Sequence, residues 1–321
     1  MTTPFHLLAR AMLAALLLIS PCAYADAWPE KRITLVVPFP PGGNTDTLAR
    51  LVATHLGQKL GQTVIVENKP GAGSMLGSDQ VARSAPDGYT FLVGSIANSL
   101  NHFFYKKPLY DMNKDLVAVS HLVNVPNYVA VGPNEKLRTI KDIVAYAKAN
   151  PRKLSCATTG VGTSTYLSCE LLKSMAGVDI VNVPYKGGAA AMQDVMGGQA
   201  NMVIANEALP FINNQRLVGV GVTTGQRSPL APELPAISET VSGFDVTSWY
   251  GVFAPAGTPQ PIIDRMATEI SAMLKEEAVQ ARLKTLGATP VGGTPKEFGN
   301  YVNAEMVKWG KVIKTLNIQL D

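Results

Sequence analysis

Short apolar runs alternate with amphipathic stretches along most of this chain, and that alternation predicts an α/β fold with largely parallel sheets. Ile33–Phe39 is a near-continuous apolar run, as expected of a strand covered on both faces. Thr45–Leu60 follows with Leu48, Leu51, Val52, Leu56 and Leu60 on one helical stripe. Thr63–Glu67 and Tyr89–Gly94 read as the next strands. Thr139–Ala149 opens with a Thr-x-x-Asp capping pattern and turns Ile140, Ile143, Val144 and Ala147 inward. Leu154–Ala157, Asp179–Val183, Asn201–Ala205 and Val218–Thr223 read as a second set of strands, with helices over Ser164–Met175 and Ala189–Met196. The C-terminal third reads as helical. There Thr294-Pro295-Lys296-Glu297 combines an N-cap, a proline at the first helical position and a glutamate three residues on. Its helix presents Phe298, Val302, Met306, Trp309 and Ile313 to a core.

Two segments look like crossings between lobes. Leu122–Gly132 leads from the first strand set to the second, and Ser248–Gly257 leads back. A chain that leaves a domain and returns makes that domain discontinuous and leaves a two-stranded hinge. The expected division is residues 26–128 with 250–321 in lobe 1, and 129–249 in lobe 2.

Two strand–loop–helix joints carry the chemistry. One is Pro38-Phe39-Pro-Pro-Gly42-Gly43-Asn44-Thr45-Asp46, and the other is Gly160-Val-Gly162-Thr163-Ser164. Glycines let backbone approach a ligand closely, and a helix start aims N–H groups and the positive end of its dipole at one point, which favours an anion. Asn44, Thr45 and Asp46 can instead serve only as caps, and Asp46 has no second carboxylate beside it for acid–base work. Ser95-Ile-Ala-Asn98 is a third polar loop at a strand's C-terminal end, where ligands of open α/β sheets bind. One joint in each lobe suggests a cleft that closes on a carboxylate.

Other chemistries find little support. Gly71-Ala-Gly73-Ser-Met-Leu-Gly77 imitates a dinucleotide fingerprint, but its spacing is wrong and it follows the second strand. No nucleophile elbow occurs, and His55, His102 and His121 lack metal-ligand spacing. No catalytic residue, metal or cofactor is therefore assigned. The charge balance is mild, with 28 Lys and Arg against 24 Asp and Glu, and without a dense basic run nucleic acid is not indicated. Residues 1–25 read as an export signal: Arg10, the apolar run Ala11–Ile19, and Ala23-Tyr24-Ala25 before a cleavage point. Cys22 raises a lipoprotein alternative in the poor context of Pro21. Cleavage after Ala25 leaves Cys156 and Cys169, which are either two small buried residues or a disulfide that an exported compartment permits.

In this order, the motifs resemble one family. They run from Pro38-Phe-Pro-Pro-Gly-Gly-x-x-Asp46 through Val66-Glu-Asn-Lys-Pro-Gly-Ala-Gly73 and Ala85-Pro-Asp-Gly-Tyr-Thr90. They continue with Ala145-Tyr-Ala-Lys-Ala-Asn-Pro151, Val183-Pro-Tyr-Lys-Gly187, Gly197-Gly-Gln199, Trp249-Tyr-Gly and Ala254-Pro-Ala-Gly-Thr-Pro259. The chain resembles the Bug family, the periplasmic substrate-binding receptors of tripartite tricarboxylate transporters. The resemblance implies a two-lobed periplasmic-binding-protein type II fold and no enzymatic role. It implies a small organic acid ligand, with membrane transporter subunits, or a sensor protein, as partner of a periplasmic monomer. It implies that Phe39, Gly42, Gly43, Asn44, Thr45, Asp46, Gly160, Gly162, Thr163 and Ser164 surround the carboxylate, with Ser95 and Asn98 lining the cleft. Two positions depart from the family pattern: Tyr166 stands for its histidine, and Ala205-Asn206 replaces an Asp-Asn pair. The lost aspartate argues against an amino-acid ligand and for a more apolar or differently shaped acid.

Overall fold

The computed structural model describes residues 28–319; the expected leader, with Cys22 and the cleavage point after Ala25, lies outside them. Two sheets organise the described residues. The first contains β1 (Ile33–Val37), β2 (Val64–Asn68), β3 (Thr90–Ser95), β4 (Leu116–Pro126), β10 (Thr247–Pro255) and β11 (Thr289–Gly292), in the order β11-β4-β10-β3-β1-β2. The second contains β5 (Tyr128–Val131), β6 (Ser155–Thr158), β7 (Val181–Pro184), β8 (Met202–Ala205) and β9 (Val218–Val222), in the order β7-β6-β8-β5-β9. The helices are α1 (Asn44–Leu60), α2 (Met75–Ala82), α3 (Ile96–Phe104), α4 (Met112–Asp115), α5 (Ile140–Ala149), α6 (Ser164–Ala176), α7 (Gly188–Met196), α8 (Leu209–Asn213), α9 (Gln260–Met273), α10 (Glu277–Thr285) and α11 (Pro295–Leu316).

The expectation of largely parallel sheets is corrected. The β1–β2, β1–β3, β6–β7 and β6–β8 pairs are parallel. The pairs of β10 with β3 and β4, of β11 with β4, and of β5 with β8 and β9 are antiparallel. The cause is topological. Parallel pairs belong to βαβ units within one sheet, whereas β5 and β10 enter their sheets directly from the other lobe.

Two crossings join the sheets. β4 ends at Pro126, Asn127 makes the step, and β5 opens at Tyr128. On the return, the Thr223 N–H donates to the Asn127 carbonyl at 3.0 Å and the Val246 N–H donates to the Thr223 carbonyl at 2.8 Å. The first crossing thus falls inside the expected Leu122–Gly132. The second falls earlier than Ser248–Gly257, because that stretch is almost entirely β10, a strand buried along nearly its whole length.

The local signals explain why the helices start where they do. Thr294 Oγ1 accepts from Glu297 N at 3.2 Å while Glu297 Oε2 accepts from Thr294 N at 2.8 Å, the reciprocal capping box read from sequence. α11 then buries Phe298, Val302, Met306, Trp309 and Ile313. The fingerprint-like Gly71–Gly77 segment serves packing instead. Gly77 lets α2 lie against the strand exit, since a Cβ there would sit 2.9 Å from Pro38 Cα. One buried apolar cluster runs from Val36, Leu92, Phe253 and Trp309 on the first-sheet side to Val129, Cys156 and Ile204 in the second. Cys156 and Cys169 are both buried within it as free thiols.

Candidate functional site

The loops that leave β1, β3, β6 and β8 all lie at strand C-terminal ends, where helix starts and turn backbone gather. The β1 exit passes through Gly42 at φ +88°, a left-handed value that favours glycine, to Gly43, which precedes α1 without a side-chain cap. The first-turn N–H groups of α1 are therefore not capped by the residue before them. A Cβ added at Gly42 or Gly43 would meet nothing within 4 Å, so the loop's outer side is open.

Asp46 is spent inside this loop. Its Oδ2 accepts from Gly42 N and from Arg50 Nε, each at 3.0 Å, and its Oδ1 accepts from Asn68 Nδ2 at 3.1 Å. Burial alone would raise its pKa, but Arg50, the Gly42 N–H and Asn68 together outweigh that and hold it below the ordinary carboxylate value. Phe39 is similarly structural on two counts: its carbonyl accepts from Asn68 Nδ2 at 3.1 Å, and its ring packs on the apolar cluster of the first lobe. Thr45 is buried at the helix start. Asn44 differs from both. It is 9% exposed, and its Nδ2 is buried without a hydrogen-bond partner.

The β6 exit turns through Gly160 at φ +137° and Gly162 at φ +78°. Thr163 Oγ1 donates to the Gly160 carbonyl at 2.7 Å and accepts from Tyr166 N at 3.3 Å, so its hydroxyl caps α6. Thr165 Oγ1 accepts from Thr159 N at 2.9 Å and ties the same turn. Ser164 Oγ donates to Asn127 Oδ1 at 3.0 Å, linking the start of α6 to the crossing. Tyr166 sits half-buried in the first turn of α6.

At the β3 exit, Asn98 Oδ1 accepts from Ser95 N at 2.7 Å and Asn98 Nδ2 donates to Ser78 Oγ at 2.7 Å. Both residues are buried, so the Asn98 amide braces the joint with both of its ends. At the β8 exit, Ala205 is fully buried, and Asn206 Nδ2 donates to Asn127 Oδ1 at 2.6 Å.

Three observations bring these exits face to face. Tyr250 OH, on β10, donates to Asn206 Oδ1 at 3.2 Å. A Cβ at Gly162 would lie 3.4 Å from the ring of Phe104, the last residue of α3. Glu207, directly after Asn206, reaches the same place. The Asn44 N–H acts on its carboxylate from the first lobe, and a Cβ at Gly188 in the second would lie 2.8 Å from its Oε2. That Oε2 is buried and has no hydrogen-bond partner among the described residues. Burial pushes Glu207 above the ordinary carboxylate value, while its own N–H and that of Asn44 act in the opposite direction.

Glu207, Tyr250 and Asn127 were not singled out as site residues from the sequence. Asn127 lies inside the expected crossing, and Tyr250 inside the Trp249-Tyr-Gly motif, so both had a positional signal. Glu207 had only its place one residue beyond a strand end. Among the described residues, no group of three or more His, Cys, Asp or Glu side chains is placed to hold a metal ion. None of the described helices is long and apolar enough to cross a membrane.

Comparison with known proteins gives this geometry a context. Residues 48–318 match the family described as tripartite tricarboxylate transporter family receptor, TctC. Protein BugT of Bordetella pertussis is 34% identical over 301 residues, covering 92% of each chain. The structure of Rpa4515 from R. palustris with adipate superposes with a TM-score of 0.87 at 36% identity, covering 91% of this chain and all of that one. MatC from Rhodopseudomonas palustris, with bound malate, superposes at 0.82 with 31% identity, over 89% of this chain and all of that one. With two sheets and their helices, the described chain has the two-lobed α/β fold of periplasmic binding proteins.

Proposed function

The chain belongs to the family of tripartite tricarboxylate transporter receptors, and from that premise we propose that it is a periplasmic receptor that captures a small organic acid between its lobes. The observation that carries this reading is the uncapped start of α1 with the buried, unpartnered Asn44 amide beside it. Opposite it stand the Gly160–Ser164 turn and the start of α6. The loop segments 38–46 and 159–164 contain no Lys or Arg. Backbone N–H groups, helix dipoles and the Asn44 amide are then the donors available to a carboxylate. The solved relatives with adipate and with bound malate hold acids of this kind.

In this reading, Gly42, Gly43, Asn44 and Thr45 contact the carboxylate from one side, and Gly160, Gly162, Thr163, Ser164 and Tyr166 from the other. Asp46, Ser95, Asn98, Ala205 and Asn206 shape and brace these loops. The expected lobe division, 26–128 with 250–321 and 129–249, moves by a few residues at its joints, since Tyr128 opens β5 of the second sheet and Thr247–Trp249 begin β10 of the first. Closure on the acid presents a surface to transporter subunits of the membrane, and the chain releases its ligand unchanged rather than catalysing a reaction on it.

The test is a thermal-shift screen of the protein against mono-, di- and tricarboxylates. A ligand that binds only the folded state stabilises it by about 2.7 kcal/mol at a hundred times its Kd. A rise in melting temperature with a class of carboxylates is expected. No response to any acid, from protein stripped of co-purified ligand by unfolding and refolding, would overturn the reading.

A further inference from the structure

The Glu207 carboxylate stands between the two lobes without a counter-charge among the described residues. Among the described residues, no cationic side chain contributes to its electrostatics, and the groups that favour its charged form are the N–H groups of Asn44 and of Glu207 itself. Its Oε2 is buried and unpartnered, packed over Gly188 at the start of α7. Lys186, in the same loop as Gly188, is exposed and makes no ion pair with it. A buried ionised carboxylate with an empty acceptor is costly until something donates to it. Beside it, the Asn44 Nδ2 is a buried donor that makes no well-formed hydrogen bond among the described residues, although the Tyr250 hydroxyl lies near enough to feel it. The cleft thus holds one orphan donor and one orphan acceptor, and an acid carrying only carboxylates satisfies the donor alone.

Resting on the carboxylate-receptor reading, we propose that Glu207 is a specificity-determining residue and that the preferred ligand is an acid bearing a hydrogen-bond donor, an ammonium or a hydroxyl, that meets Glu207 Oε2. An ammonium also supplies the charge that the protein does not. This runs against the expectation drawn from Ala205. The acceptor lost at that position returns two residues later, from a side chain long enough to reach between the lobes.

The experiment is isothermal titration of wild type and Glu207→Gln with matched acids. The series are succinate, malate and aspartate; glutarate, 2-hydroxyglutarate and glutamate; and adipate with 2-aminoadipate. Wild type is expected to prefer a donor-bearing acid over its bare counterpart by about ten-fold or more, the worth of one hydrogen bond to a buried charge. Glu207→Gln is expected to shrink that preference by a similar factor, partly by tightening the bare acid. An unliganded melting temperature at or above that of wild type shows that the variant is folded. A wild-type preference for the bare acid, or a preference that Glu207→Gln leaves unchanged, overturns the inference while the receptor reading stands. Failure of every acid with both proteins overturns the receptor reading, and this inference falls with it.

Discussion

The Tyr250 hydroxyl donates to Asn206 Oδ1 across 3.2 Å and so ties β10 of the first sheet to the end of β8 in the second. Asn206 passes the link on, because its Nδ2 donates to Asn127 Oδ1 at 2.6 Å and to the Pro126 carbonyl at 3.2 Å. Asn127 Oδ1 also receives Ser164 Oγ, and Asn127 Nδ2 donates to Ser168 Oγ at 3.0 Å. The crossing residue therefore holds the start of α6, the end of β8 and, through Asn206, a strand of the other sheet. The crossing and the exits of β6 and β8 are thus tied together through this one side chain.

Asn127→Leu tests that coupling. Leucine matches the volume but removes the amide, which strands the buried Ser164 hydroxyl and weakens the hold on Asn206. The expected cost is about 1–3 kcal/mol of stability, the penalty for leaving a buried polar group unpartnered. Urea unfolding followed by fluorescence of the buried Trp249 and Trp309 would measure it. Ligand affinity should fall as well, because Ser164 sits in the first turn of α6. A variant with wild-type stability and affinity would show that the network carries no load.

Gly43 and Gly251 should separate the site from the core. Gly43 has φ −82° and open space around a would-be Cβ. Gly43→Val is expected to keep stability within about 1 kcal/mol, as for a change at a helix N-cap. It should weaken ligand binding by about ten-fold or more by blocking backbone approach. A Cβ at Gly251 would fall 2.1 Å from Phe298 Cζ and 2.9 Å from the Ser120 carbonyl. Gly251→Ala is expected to cost about 1–3 kcal/mol by overpacking, because Phe298 is enclosed. Denaturation and titration of both variants check the pair.

Cys156 and Cys169 should behave as inert buried thiols. Burial pushes the Cys156 thiol well up, and the neighbouring Cys169 adds to the shift, so little thiolate forms near neutral pH. Ellman's reagent is expected to be silent on the native protein. After unfolding, a chain cleaved after Ala25 should show both thiols. No signal on unfolding would mean a disulfide.

Much of this architecture was legible in the sequence because its signals are local. The turns at Gly42 and at Gly160-x-Gly162 are readable because their backbone needs glycine at positive φ, and the Thr294–Glu297 box because both partners lie within one turn. Two things were not local. The antiparallel pairing of β5 and β10 depends on which lobe the chain arrives from, and the apolar run of β10 carries no mark of that. Glu207 was hidden for a different reason. A single acid after a strand has no spacing partner, and its isolation becomes visible only when Asn44 and Gly188 close around it. Asp46 and Thr163 stand at the helix starts read from the sequence, but the sequence could not show that Gly42, Arg50 and Asn68 occupy the Asp46 carboxylate and that Gly160 and Tyr166 occupy the Thr163 hydroxyl.

The carboxylates of Asp46 and Glu207 should respond to pH with opposite signs. Asp46 has a folded pKa below its ordinary 3.8, so it stabilises the fold above that value, and the contribution disappears as pH falls through the lowered one. Arg50 is 56% exposed, so solvent screens much of this gain. Asp46→Asn should therefore lower the unliganded melting temperature modestly at pH 7, with the gap closing as acid is added. Glu207 has a folded pKa raised above its ordinary 4.5, so the unfolded chain gives up this proton first. Over that window the folded state binds more protons, and stability declines as pH rises from 4.5 through the raised value. Glu207→Gln removes the charge that causes the decline, so it should raise the melting temperature most at pH 7 and above, and lose that advantage below pH 4.5. Melting curves of the three unliganded proteins between pH 3 and pH 8 decide both signs. If the Glu207→Gln gap instead widened in acid, the carboxylate would have a partner that stabilises its charge, and the cleft would hold no vacant acceptor.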